Sequence, residues 1–187
     1  GGDNSALCVR QGNTVLEIQS FASMDLMQLC GVIKNRYDEA TVMEQPQEIL
    51  VDVIGIGAGV VDRLREQNLP VRGVNVSEAP STKKNYLNLR AELWFSIKDW
   101  LAQRDCRLPN DDELVAELAA PLYKYTSTGK IKIESKDEMR KRGIKSPDKA
   151  DALALTMASS AASFSGSESV FGYNFKKPLK SRIIRVG

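Results

Sequence analysis

The chain has 187 residues, of which 42% are hydrophobic and 27% charged, and its formal net charge is +2. This length allows one domain with a substantial core, while so small a net charge does not by itself indicate a nucleic-acid partner. The absence of histidine excludes His-based catalytic triads, His-ligated zinc and imidazole proton shuttles, and the lack of a long apolar run excludes a membrane-spanning helix.

The N-terminal part of the sequence predicts a β-hairpin followed by a helix. Residues 6–10 and 14–20 flank Gln11-Gly-Asn13, whose glycine and asparagine favour a tight turn between antiparallel strands. From Asp25 to Tyr37 apolar side chains recur at helical spacing, and Asp25 is the predicted N-cap.

The middle of the sequence predicts a strand, a helix and a second strand. The apolar run Ile49–Val53 predicts a buried strand, residues 59–67 a helix, and Val71–Val76 a short strand. Because a connecting helix normally leaves its two strands parallel, we expect an α/β fold with a parallel pair inside a mixed β-sheet flanked by helices.

The remaining sequence predicts further helices, an extra β-hairpin and a tail. The predicted helices are residues 87–104, 111–119 and 147–162, with one or two helical turns over residues 135–141. Ser146 is the expected N-cap of the last one, and residues 124–133 alternate around a Gly129 turn, which predicts the hairpin. Residues 164–187 are Ser/Gly-rich and then basic, so we predict a domain over 1–163 and a loosely held C-terminal tail.

Asp52 lies near the end of the predicted strand, and Gly55-x-Gly57-x-Gly59 follows it. A carboxylate in a buried strand is unfavourable unless a cation or several N–H groups pair with it. Two interpretations stay open. Asp52 is a divalent-metal ligand at the carboxyl end of the strand, or it caps the glycine-rich loop by accepting backbone N–H bonds.

Three more aspartates are candidate metal ligands. Asp151 borders the small apolar face of the last predicted helix, where a half-buried carboxylate needs a partner, and Asp148 lies on the same helix face. The helix dipole alone already favours an acid at Asp148, and Asp3 is either a further ligand or a turn residue. Oxygen ligands without histidine or thiolate favour Mg²⁺ or Mn²⁺, and two such ions held by aspartates fit phosphodiester hydrolysis.

Basic side chains crowd the stretch that leads to Asp151. Such a run is usually a solvated surface, but its position beside the proposed metal site favours contacts with phosphate. The predicted DNA-binding residues are Lys83, Lys84, Arg90, Lys130, Lys132, Arg140, Arg142, Lys145 and Lys149.

The glycines after Asp52 also suggest a dinucleotide-binding turn, with Glu78 at the distance of a ribose-binding acid. The spacing is GxGxG rather than GxGxxG, with Val60 at the third glycine position, so this remains the less favoured alternative. The sequence contains no GxxxxGK[ST] motif, which excludes a P-loop within this chain.

Three segments together resemble the nuclease domain of the large terminase subunits of tailed bacteriophages. They are the strand and glycine loop of residues 49–64, the Asn-Leu-Arg-Ala-Glu-Leu-Trp run of residues 88–94, and the Ser-Pro-Asp-Lys-Ala-Asp run within residues 145–155. The resemblance covers nearly the whole chain up to residue 162, and the hairpin at 124–133 also has a counterpart in the family.

This resemblance implies an RNase H-like fold and a metal-dependent endonuclease that cuts concatemeric viral DNA during genome packaging. It implies Asp52 and Asp151 as catalytic, metal-ligating carboxylates with Asp148 close by, and two Mg²⁺ or Mn²⁺ ions. The implied partners are double-stranded DNA, the terminase small subunit and the portal protein, in the cytoplasm of the bacterial host. A non-catalytic DNA-binding module of the same fold is the alternative.

One part of the family pattern has no counterpart here. The family takes an aspartate from a first strand, a few residues before a Gly-x-Asp-like segment, and Gly1-Gly-Asp3 matches that segment. The first-strand aspartate would precede Gly1, so Asp3 matches only the auxiliary acid after it. Because the chain also begins without methionine and lacks the ATPase motif, we interpret it as a nuclease fragment of a longer protein.

Overall fold

The structure, a computed structural model, describes residues 4–42, 44–81 and 84–158 and the backbone of residues 182–186. The strands are β1 (Ser5–Gln11), β2 (Thr14–Phe21), β3 (Pro46–Asp52), β4 (Val71–Val74), β5 (Tyr123–Tyr125), β6 (Ile131–Ile133) and β7 (Arg182–Val186). The helices are α1 (Leu26–Glu39), α2 (Gly57–Glu66), α3 (Leu89–Ala102), α4 (Asp112–Ala119), α5 (Lys136–Lys141) and α6 (Asp148–Leu155), which a 3-10 turn at Thr156–Ala158 follows.

The main sheet is mixed and has the strand order β2-β1-β7-β3-β4. Strands β1 and β2 form the predicted antiparallel hairpin, and β3 and β4 form the predicted parallel pair around α2. Strands β5 and β6 pair antiparallel in a separate two-stranded sheet at the second predicted hairpin. The prediction of a mixed sheet within an α/β fold is therefore confirmed.

The two faces of the sheet carry two hydrophobic cores. Leu7, Ile49 and Val51 pack with α1 and α2 on one face, whereas Cys8 and Leu50 pack with α3, α4 and α6 on the other. Successive side chains of a strand point to opposite faces, and burial on both sides explains why β1 and β3 read as continuous apolar runs.

Strand β7, from the far end of the chain, occupies the centre of the main sheet. It pairs antiparallel with β1 and parallel with β3, and Val186 lies opposite Leu7 and Val51. Hydrogen bonding along both edges satisfies its backbone. The predicted loosely held tail is therefore wrong for residues 182–186, while the rest of 164–187 lies outside the described residues.

Helix α6 is shorter than predicted at both described ends. Pro147 is its N-cap, and α6 ends at Leu155 rather than near residue 162. Residues 159–162 of the predicted helix lie outside the described part of the chain. Ser146 does not cap the helix backbone; its hydroxyl instead donates to Asp148 Oδ1 at 2.7 Å. In α1, by contrast, the predicted cap is confirmed, because Asp25 accepts the N–H of Gln28 in a complete capping box.

Candidate active site

Asp52 is placed by the alternation of β3. Leu50 belongs to the core on the α3–α6 side, so Asp52, two residues later and last in the strand, is on that same side. Its neighbour across the parallel pair is Val74 at the end of β4. A carboxylate thus stands at the carboxyl edge of the parallel strands, where crevices for ligands form in open α/β sheets.

The loop after Asp52 is held tightly against the strand. The N–H of Ile54 donates to Asp52 Oδ1 at 3.1 Å, and Gly55 has φ +71°, a conformation that glycine adopts without strain. A Cβ on Gly57 would lie 1.7 Å from the carbonyl oxygen of Asp52, and one on Gly59 would lie 2.4 Å from the side chain of Leu26.

These contacts give the glycines a packing role that needs no dinucleotide. Asp52 accepts one backbone N–H bond from the loop, that of Ile54, as the capping interpretation expects. It does not compete with the ligand interpretation, because an ionised carboxylate has about four acceptor positions.

Asp151 is fixed by N–H groups from α3. Arg90 donates to Asp151 Oδ1 from Nε at 3.2 Å and Nη2 at 3.1 Å, and the indole Nε1 of Trp94 donates to the same oxygen at 2.8 Å. Arg90 and Trp94 are four residues apart, so one face of α3 presents both donors. The Asp151 side chain is only 15% exposed, which makes this fixed orientation possible.

Lys136, at the start of α5, brings a cation to two of the predicted metal ligands. Its Nζ lies 3.0 Å from Asp148 Oδ1 and 3.6 Å from Asp151 Oδ2. Asp148 is buried at 6% exposure, so its charge requires this partner and the hydroxyl of Ser146. The two carboxylates therefore converge on one positively charged group.

Asp52 and Asp151 line one open cavity of about 890 Å³. Polar side chains of α3, β6 and α5 also line it, namely Arg90, Lys132 and Lys136. A wide, open cleft with converging charged groups at a sheet edge is the common setting of a ligand or substrate site.

The ionisation of Asp52 reflects this shared cavity. Burial raises the pKa of Asp52 above its usual value, and the negative charge of Asp151 raises it further. The N–H of Ile54, Lys136 and Arg90 act in the opposite direction and lower the pKa. The two carboxylates are therefore close enough to interact electrostatically.

The donor set suits a hard divalent cation but is incomplete in the described residues. Carboxylate oxygens are the ligands that Mg²⁺ and Mn²⁺ prefer. Within the described ranges, no group of three or more His, Cys, Asp or Glu side chains is arranged to hold a metal ion. Asp3, the other predicted ligand, lies outside the described residues.

Helix α4 supports the first turn of α6 from behind. Glu117 Oε2 accepts the N–H of Ala150 at 2.8 Å, which satisfies a donor that the Pro147 N-cap leaves open. Lys149 is buried at 8% exposure and bonds Asp111 at 2.8 Å and Glu113 at 2.6 Å. These contacts hold the helix that carries Asp148 and Asp151.

The predicted DNA-binding cations occupy three kinds of environment. Lys84, Lys130 and Lys145 are exposed. Cations paired with acids are Lys132 with Glu138, Arg140 with Asp137, Arg142 with Glu134 and Arg90 with Asp151. Lys149 is interior, and Lys83 lies outside the described residues.

Sequence reasoning missed the site roles of Trp94, Lys136 and Glu117. Trp94 is 7% exposed, as expected of a core aromatic, but its N–H also binds Asp151. The spacing of Arg90 and Trp94 was the available signal, since side chains four residues apart on a helix lie on one face. Glu117 had no such signal.

The described residues include no helix that is long and apolar enough to cross a membrane.

Comparisons with known proteins found likeness in structure alone. No protein-family model and no curated protein matches the chain. The nuclease domain of the large terminase subunit gp2 of bacterial virus Sf6 is 22% identical with a TM-score of 0.71, over 85% of this chain and 84% of that one. A mutant of that domain with manganese and beta-thujaplicinol gives 21% identity and a TM-score of 0.72 over the same shares.

The large terminase nuclease from thermophilic phage G20c, with bound magnesium, is 15% identical with a TM-score of 0.59. The match covers 83% of this chain and 75% of that one. The chain therefore has the mixed α/β fold of these phage large-terminase nuclease domains.

Proposed function

We propose that this chain is a metal-dependent DNA endonuclease, the nuclease domain of a phage large terminase subunit. The observation that carries the proposal is the pair of carboxylates, Asp52 from β3 and Asp151 from α6, that line one cavity at the carboxyl edge of the sheet. Two structurally similar nucleases were determined with manganese and with magnesium, which supports the same class of cofactor here.

In this proposal Asp52 and Asp151, with Asp148 and Asp3, hold two Mg²⁺ or Mn²⁺ ions. Bound ions of this kind would supply an activated water and neutralise charge on the phosphate. Asp148 and Asp151 already share one cation, Lys136 Nζ, which supports their suitability as ligands. A metal ion on this pair has to displace that ammonium group or share the carboxylates with it.

The chain's own residues orient this chemistry. Arg90 and Trp94 fix Oδ1 of Asp151, while Oδ2 lies 3.6 Å from Lys136 Nζ and 3.5 Å from Arg90 Nη2. The N–H of Ile54 fixes Asp52. Preorganised ligands of this kind avoid reorganisation during the reaction.

The proposed substrate is double-stranded DNA, cut from concatemers during genome packaging in the cytoplasm of a bacterial host. Exposed Lys84, Lys130 and Lys145 are the proposed phosphate contacts, together with Lys132 at the cavity wall and with Lys83, Arg140 and Arg142. We leave Lys149 out of this set because it is buried and paired. The terminase small subunit and the portal protein are the proposed partners.

Plasmid nicking in Mn²⁺ tests the proposal. Asp52→Asn and Asp151→Asn should each abolish nicking, because each removes a ligand charge without changing side-chain volume. Asp62→Asn is the matched control, since its side chain is 77% exposed on α2, and it should cut like the wild type. Full activity in either site variant, with folding verified by circular dichroism, rejects the assignment.

One observation favours a non-catalytic DNA-binding module as the second candidate. The positive charges of Arg90 and Lys136 already neutralise Asp151 and Asp148. Titration calorimetry separates the two proposals. A nuclease should release heat on binding Mn²⁺ that disappears in Asp52→Asn, whereas a pure binder should give no such heat and still bind DNA in a salt-dependent way.

A further inference from the structure

Two large apolar side chains stand exposed beside the carboxylates. Ile54 is 53% exposed and Ile56 is 50% exposed, and both line the same cavity as Asp52 and Asp151. Met24 lines it as well. We call Met24, Ile54 and Ile56 the apolar lip. Single exposed apolar residues are ordinary on protein surfaces, but a group gathered at one cleft indicates contact with a ligand.

The lip is held in a fixed conformation rather than carried on a free loop. Ile54 donates its N–H to Asp52, and Gly55 takes the left-handed conformation between the two isoleucines. Gly57 then approaches the Asp52 carbonyl so closely that no side chain fits. The same contacts that position the carboxylate therefore point Ile54 and Ile56 outwards, and rigid presentation lowers the entropy lost on binding.

The chemistry of the cavity identifies the occupant. The β3–α2 loop contributes apolar surface, while Arg90, Lys132 and Lys136 contribute positive charge from other elements. Phosphates in nucleic acids alternate with sugars and base edges whose surfaces are partly apolar. A substrate whose phosphate reaches Asp52 must lay these neighbouring groups against the residues directly after Asp52.

We propose that the apolar lip contacts the deoxyribose rings and base edges of duplex DNA in the minor groove beside the scissile phosphate. This inference rests on the proposed nuclease function and adds to it a non-electrostatic contact that grips the substrate next to the cut. Isoleucine, leucine and methionine are common among the apolar side chains that proteins insert at base steps from the minor groove.

Binding measurements with salt dependence test the contact apart from cleavage. The double variant Ile54→Ser with Ile56→Ser is compared with the wild type and with Val115→Ser, an exposed apolar position on α4 outside the cavity. Fluorescence anisotropy of a short labelled duplex, in Ca²⁺ and over a series of salt concentrations, gives Kd and its salt slope.

We expect the double variant to bind about tenfold more weakly, which equals about 1.4 kcal/mol, with an unchanged slope of log K against log salt. Apolar contacts release no counterions, whereas loss of a phosphate contact lowers the slope by about one. The Val115→Ser control should bind like the wild type. If the serine variant does not fold by circular dichroism, Ile54→Val with Ile56→Val replaces it, with an expected loss of about twofold to threefold.

The remaining outcomes overturn the proposal. Wild-type affinity in the folded double variant rejects the contact, and so does a loss that comes with a lower salt slope or that occurs equally in Val115→Ser. A wild type that binds DNA but does not cut it rejects the nuclease function while leaving the lip measurable. A wild type that binds no duplex rejects both.

Discussion

Glu117 offers a quantitative test of how α4 supports the site. Its carboxylate is half-buried between α4 and α6 and accepts the N–H of Ala150. Burial raises the pKa of Glu117 from 4.5 to about 7, the bond from Ala150 lowers it, and the charge of Asp148 raises it. In the folded state the carboxyl group is therefore protonated over a pH range in which it is ionised in the unfolded state.

The pH dependence of stability follows from this difference in protonation between the folded and unfolded states. Below pH 4.5 both states hold the proton, so Glu117 has no effect on the pH dependence of stability. As the pH rises from 4.5 to 7 only the unfolded state loses its proton, so the free energy of unfolding falls. The whole shift corresponds to about 3 kcal/mol, and since the group is only half-buried we expect roughly 1–2 kcal/mol after solvent screening.

Glu117→Gln should remove this loss, because glutamine keeps an oxygen that can accept the N–H of Ala150 and does not titrate. Urea unfolding at pH 5 and pH 8 measures the effect. Relative to wild type, the variant should gain roughly 1–2 kcal/mol more at pH 8 than at pH 5. Glu66→Gln, at an exposed glutamate on α2, is the control and should show no such difference. An equal effect of Glu117→Gln at both pH values would refute the reasoning.

Three further sets of substitutions have expected outcomes. Asp52→Asn should be at least as stable as wild type at pH 7, because burial and the charge of Asp151 disfavour the ionised form of Asp52. Asp151→Asn should lower the free energy of unfolding, measured in urea, by about 1–3 kcal/mol because it weakens charged hydrogen bonds to α3. Gly57→Ala should lower the free energy of unfolding by about 3 kcal/mol or more, since its Cβ would lie 1.7 Å from the carbonyl oxygen of Asp52. Gly31→Ala in α1, where a Cβ meets nothing within 4 Å, should raise it by about 0.5–1 kcal/mol. A comparable loss in both variants would show that the close approach is not the cause. Lys136→Ala should bind Mn²⁺ about tenfold more tightly in titration calorimetry, because it removes the ammonium group that lies beside Asp148 and Asp151. Unchanged or weaker binding would show that this ammonium does not compete with the metal ion.

The elements of the fold were predictable wherever their signal is local. The capping box at Asp25 depends on residues within one helical turn, and the buried strand before Asp52 is visible as a continuous apolar run. The end of α6 was not predictable in this way. Thr156 receives a bond from Arg10 at a separation of 146 residues, so the chain beyond Leu155 depends on a partner that no local pattern reveals.

The candidate site likewise has some features that the sequence predicts and others that it does not. Asp52 and Asp151 stood out in the sequence because each is a carboxylate set against an apolar pattern, where its burial is unfavourable unless a partner is present. The donors that hold Asp151 come from α3, 57 and 61 residues away, and their side chains alone do not indicate which acid they bind. The exposure of Ile54 and Ile56 was also visible only in the structure, because their sequence context resembles a buried strand continuing into a helix.

By itself the sequence determined most of the helices, the hairpins, the parallel pair, and two acids set against apolar patterns, since these depend on periodicity and capping over a few residues. Only the tertiary structure decided that Arg182–Val186 occupies the centre of the sheet and that Arg90, Trp94 and Lys136 converge on Asp151. The physical reason is that such contacts form only after distant segments pack together, and their free energies depend on burial and charge in the assembled fold rather than on neighbouring residues.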